Sequence, residues 1–154
     1  MTNQPKYESV PGIGIRLIED FPIRYENGST EGILCVVPKG YVSDGASIPW
    51  IAWQLTYTPF DDLVIASAVA HDWGDDIHFL TFKQNNKMFK QMLTENGANK
   101  LKIKIMYWSV SVAKWTWKRK KEDEDYLIKL YNEVKDRPNI DEYKFPQSII
   151  DKAN

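Results

Sequence analysis

Cysteine is nearly missing from this 154-residue chain: Cys35 stands alone. No intramolecular disulfide can form and no cysteine-based zinc site can be built, which fits a protein made in a reducing cytoplasm. Net charge is scarce too. Twenty cations against 21 acids leave a formal −1, so there is no global pull toward nucleic acid or an anionic membrane. Long apolar runs are absent. No stretch approaches the roughly 20 residues that a membrane-spanning helix needs, and the opening MTNQPKYESVPG has no apolar core of the kind a signal peptide carries.

What the chain has in quantity is rings. Six tryptophans and eight tyrosines point to a ring-rich core or a large contact surface. Its length suits one domain with a core of its own. The first third reads as strands: Gly14–Asp20, Phe21–Tyr25 and the apolar run Gly32–Val37, with Asn27–Gly28 supplying a turn and Tyr41–Val42 beginning a short strand.

From Pro49 the period changes to helical. A short helix through Trp50, Trp53 and Leu55 precedes a helix capped by Asp61 or Asp62 that runs through LVIASAVAHDW. That second helix is apolar almost all round and therefore central, with Gly74 expected to stop it. A third helix spans Phe82–Glu95, capped by Thr81, and a fourth runs from about Asn99 to Lys118 with Ile105, Trp108, Val112 and Trp115 as its core stripe. A last helix holds Tyr126 to Val134, before Pro138.

The expected architecture is α+β: a small N-terminal antiparallel sheet packed against a C-terminal bundle of about four to five helices. Residues 13–137 form the domain, residues 1–12 an extended N-terminal arm and residues 138–154 an extended C-terminal tail.

One place carries chemistry. His71 and Asp72 both fall on apolar faces of the central helix, one turn from Ala68 and near its C-terminal end. Burial disfavours the aspartate's charge, and the negative end of the helix dipole repels it. Compensation must come from a cation, a donor-rich loop or protonation. The loop Ser43–Pro49 (SDGASIP) is the natural source: Asp44 adds a carboxylate, Ser47 a hydroxyl, and Gly45 permits close backbone approach.

Asp72 and Asp44 could hold a hard divalent cation such as calcium, with His71 as base for a water and Ser47 as loop anchor or substrate contact. In the structural alternative, the two carboxylates bind backbone amides and His71 donates to a carbonyl. Asp75, Asp76 and His78 read as solvated residues of the helix end. The basic, ring-rich Lys100–Lys121 stretch would suit a membrane surface or nucleic acid. A core stripe with a solvated face is the plainer account, because KRKK runs directly into EDED.

The run VPKGYVSDGASIP (Val37–Pro49), then AVAHDW, then a helix with Phe89, resembles a small family of uncharacterised phage and prophage proteins. Their pattern is approximately P-x-G-[FY]-x-[ST]-D-G-A-S-[IV]-P, A-x-x-H-D, A-D-x-x-F and a Trp- or Arg-containing helix. The match covers about Ile33 to Trp117. The family's polar positions fall on Asp44, Ser47, His71 and Asp72. The family's later aspartate falls on Asn86, which can hydrogen-bond His71 but cannot stabilise an imidazolium by charge. A looser similarity is to phospholipase A2 enzymes, which set His-Asp on a helix beside a calcium loop.

The resemblance implies a phage-encoded protein made in the host cytoplasm. Its expected role is that of a structural or interaction component of the particle, meeting other phage proteins or itself through the terminal arms, with no specific nucleic acid partner. A calcium-type, metal-dependent hydrolase acting on an envelope or ester substrate is the alternative. Sequestration of a small ligand, such as a host nucleotide signal, is the third.

Overall fold

In the computed structural model, residues 3–24, 32–45, 48–58 and 60–154 are described. Asn27–Gly28, expected as a turn, and Ser47 lie outside them. The architecture is α+β: small antiparallel sheets at the N-terminus, then helices.

Two sheets replace the single one expected. Strands β1 (Tyr7–Val10), β2 (Gly14–Leu17) and β5 (Val42–Ser43) pair in the order β1-β2-β5, with Ile15 opposite Ser43. Strands β3 (Phe21–Arg24) and β4 (Ile33–Val37) pair separately, with Ile23 opposite Cys35. Alternation explains β2 and β3: Ile15 and Leu17, then Phe21 and Ile23, point inward, while Arg16 and Arg24 point out. In β4, Cys35, Val36 and Val37 are all buried, so that strand is covered on both faces. Part of the N-terminal arm is thus drawn into a sheet as β1.

Six α-helices follow among the described residues: α1 (Trp50–Leu55), α2 (Ile65–Ile77), α3 (Phe82–Glu95), α4 (Lys100–Val112), α5 (Lys121–Val134) and α6 (Gln147–Ala153). Thr81 caps α3 through a box with Gln84, each side chain reaching the other residue's backbone N–H. Helix α2 is the spine. Eleven of its thirteen residues are buried. Ala66, Val69, Ala70, Trp73 and Ile77 join the sheets and C-terminal segment in one core, while Val64 and Ala68 join α1, α3 and α4 in another.

The N-cap of α2 is Val64, with no side-chain cap bond, rather than Asp61 or Asp62, and three further expectations need correction. Helix α2 does not stop at Gly74 but runs on to Ile77. Gly74 serves close packing: a Cβ there would overlap the Asn85 side chain on α3. Residues 138–154 do not form an extended tail. They make a 3-10 turn (Ile140–Tyr143) and α6, placing Tyr143, Phe145 and Ile149 in the core. Asp20 ties this segment down, accepting from the Lys39 backbone N–H, Asn139 Nδ2 and Tyr143 Oη at 2.7–2.9 Å.

The third correction concerns α4, which ends at Val112 before a 3-10 turn (Lys114–Trp117). Its buried stripe is Ile103, Met106 and Val110, followed by Ala113. Trp108, Val112 and Trp115, expected inside, are exposed. The slimmer stripe lets α4 approach α3 closely, whereas two indoles would hold the helices apart.

Candidate functional site

Helix α2 offers small or branched apolar side chains to its neighbours for two turns and then places His71 and Asp72 in the same buried environment. They are 2% and 5% exposed. Consecutive helical residues diverge by roughly 100°, and among the described contacts the two side chains meet different neighbours.

His71 faces α3 and α4. Its Nε2 lies 2.9 Å from Asn86 Oδ1, its ring packs against Phe89 at 5.0 Å between centroids, and Asn86 Nδ2 donates onward to the Val110 carbonyl at 3.3 Å. The onward bond orients the amide, so Oδ1 faces the ring and Nε2 must carry the proton. Burial pushes the His71 pKa down to about 4, the Asn86 bond only partly opposing it. The ring is neutral at pH 7. One turn of α4 gains as well, because Val110 is near the helix C-terminus, where carbonyls lack intrahelical partners.

Asp72 faces β5 and the loop after it. Ser43 Oγ donates to its Oδ2 at 2.5 Å, and the Gly45 backbone N–H donates to the same oxygen at 3.0 Å. Gly45 has φ +72°, the left-handed conformation that glycine adopts without strain. These donors help to compensate a carboxylate held near a helix C-terminus. Asp44 is exposed and lines a cavity with Asp72.

That cavity, about 640 Å³, is also lined by Tyr41, Asp75, Asp76, Asp123 and Tyr126, with Lys118 and Lys120 among its cations. Tyr41 Oη donates to Asp76 Oδ2 at 2.6 Å, and Arg119 Nε donates to the Asp76 carbonyl at 2.9 Å. Asp75 Oδ1 is buried without a hydrogen-bond partner. Burial, with Asp72, Asp76 and Asp123 nearby, pushes the Asp75 carboxyl up to about 8. Burial pushes Asp76 to about 8 as well, outweighing its bond from Tyr41. These residues, expected as solvated, are half-buried carboxyls that bind protons near neutral pH.

Although α2 continues past Gly74, His71, Asp75 and His78 do not become a metal triad. His78 turns away as the left-handed cap of α2 and stacks on Trp117 at 4.1 Å. Among the described residues no three His, Cys, Asp or Glu side chains converge as a metal site.

Two members of the network are not singled out as site residues by the sequence. Ser43 fills the [ST] position of the motif, and alternation marks it as inward, since Tyr41 and Ser43 are both buried around half-buried Val42. Asn85, which donates to the His71 carbonyl at 3.1 Å, has no local signal.

The molecule is therefore a small α+β domain whose central helix carries a buried His-Asp pair, each member held by a neighbouring element. It belongs to the family described as "Protein of unknown function (DUF1353)", whose profile matches residues 15–110. Two proteins of Sinorhizobium fredii (strain NBRC 101917 / NGR234) are similar. "Uncharacterized protein y4iH" is 35% identical over 68 residues, covering 44% of this chain and 28% of that protein. "Uncharacterized protein y4jT" is 32% identical over 86 residues, covering 56% of this chain and 26% of that protein. The matched regions are about a quarter of the length of these relatives. No solved structure matches the chain.

Proposed function

We propose that the chain is a structural or interaction component, associated with a phage particle, and that its polar residues hold the fold rather than catalyse a reaction. One observation carries this: the imidazole is sealed. His71 is 2% exposed, its Nε2–H is committed to Asn86, and its pKa lies near 4, which leaves it a weak base. Asn86 supplies no negative charge to steady an imidazolium.

The test is twofold. Mass spectrometry of gradient-purified particles is expected to find the chain, and Asp72→Ala is expected to lower thermal stability by about 2–4 kcal/mol, because Ser43 Oγ–H and the Gly45 N–H lose a buried acceptor. A chain present in the lysate but missing from particles, or an Asp72→Ala protein as stable as the parent, overturns the proposal.

A second reading, a calcium-type hydrolase, draws on the cavity, which Asp44, Asp72, Asp75 and Asp76 all line. Calcium titration followed by calorimetry distinguishes the two: heat of binding abolished by Asp44→Asn favours the hydrolase. The third reading, a nucleotide trap, lacks a glycine loop in the sequence that would cradle phosphate.

A further inference from the structure

Helix α4 carries two apolar stripes where a helix lying on a core needs one. Ile103, Met106 and Val110 are inside. Leu101, Trp108 and Val112 recur at helical spacing on the outside, with Trp108 63% exposed. Trp115, just beyond the helix, and Trp50, on the α1 helix that packs against α4, are each 70% exposed. Trp115 also lines the cavity that holds Asp44, Asp72 and Asp123, whereas Trp50 and Trp108 stand on packed neighbouring helices, an exposed apolar face that soluble proteins avoid unless something covers it.

The charge around these rings selects the partner. From Asn96 to Lys121 there are eight cations and no acid; all 21 acidic residues lie elsewhere. Lys100, Lys104 and Lys114 are exposed. A second copy of this surface would bring like charges together, which opposes self-association. Seven of the eight cations are lysine, a residue depleted from protein–protein interfaces, where arginine is favoured. Indoles ringed by lysines instead match the boundary of an anionic bilayer. The rings rest at headgroup depth, and the lysine stems lie along apolar surface while their ammonium groups reach the phosphates. No helix among the described residues is long and apolar enough to cross a membrane, so this contact is peripheral.

We infer that the α1–α4 face docks the chain onto an anionic lipid surface, with Trp50 and Trp108 entering the headgroup layer and the flanking lysines meeting lipid phosphates. The inference rests on surface residues alone, so it stands or falls separately from the role of the His-Asp network and from any particle association.

Co-sedimentation of the whole chain with vesicles tests it, using phosphatidylcholine alone and a mixture with roughly a third phosphatidylglycerol. The chain is expected to pellet with the anionic vesicles only, less so as salt rises, and with a blue shift of its tryptophan emission. The double variant Trp50→Ser/Trp108→Ser, folded by circular dichroism, is expected to lose at least about tenfold in partitioning. Lys100→Gln/Lys104→Gln is expected to lose a comparable amount. Three outcomes overturn the inference: no pelleting with anionic vesicles, full pelleting of the tryptophan variant, or a dimer in light scattering that the tryptophan variant abolishes.

Discussion

His71 on α2 and Asn86 on α3 share a hydrogen bond of 2.9 Å between two side chains that are both almost wholly excluded from water. The amide is a bridge, because its nitrogen also holds the Val110 carbonyl of α4. Asn86→Ala breaks both links and leaves a buried N–H and a buried carbonyl unpaired, so a loss of about 2–4 kcal/mol is expected in chemical denaturation. Asn86→Asp places a carboxylate against the ring instead. Titration of the imidazole by NMR is expected to show the His71 pKa raised from its low value. An unmoved pKa would mean that the carboxylate is itself protonated or turned away.

The neutral imidazole makes stability depend on pH. The folded-state pKa of His71 is about 4 against an ordinary 6.5. A depressed base contributes stability that is present above the unfolded value and lost as pH falls through the folded one. Between pH 7 and pH 4 this amounts to roughly 3 kcal/mol. His71→Gln removes this titration, so the stability difference between parent and variant is expected to be roughly 3 kcal/mol more in the parent's favour at pH 7 than at pH 4. Parallel curves for the two proteins would contradict the assignment.

Asp75 and Asp76 act with the opposite sign. Their folded-state pKa values, about 8, lie above the ordinary carboxyl value of 3.8, so the stability they contribute is full below pH 4 and is lost as pH rises to about 8. Asp75→Asn cannot ionise. It is expected to match the parent near pH 4 and to exceed it by about 1–2 kcal/mol at pH 8.5 in thermal melts. A variant less stable than the parent at the higher pH would show that the carboxylate is used there.

Gly74 tests the α2–α3 contact. Alanine gains about 1 kcal/mol of helix propensity over glycine, yet its Cβ would overlap Asn85 Oδ1, and Asn85 is fully buried and tied to the His71 carbonyl. Overpacking wins: Gly74→Ala is expected to cost about 2–3 kcal/mol net. Adding Asn85→Ala makes room, so the double variant is expected to be more stable than the sum of the single losses implies.

The sequence by itself determined what depends on neighbours along the chain. The cap Thr81 with Gln84, the alternation in β2 and β3, the all-round apolar character of α2 and the burial of His71 and Asp72 are all set by local spacing. Tertiary structure decided what depends on which surfaces meet. Helix α4 has two apolar stripes, and the approach of α3 and α1 selected the slimmer one for the inside. Gly74 reads as a stop until Asn85 is seen lying against it. Asp76 reads as solvated until Tyr41, 35 residues away, is found bonded to it. Residues 138–154 lack a strong apolar period, and they fold because Trp73, Tyr131 and Asp20 receive Phe145 and Tyr143. Periodicity records that a side chain needs cover, whereas the shape and chemistry of the covering partner are set by contacts distant in sequence.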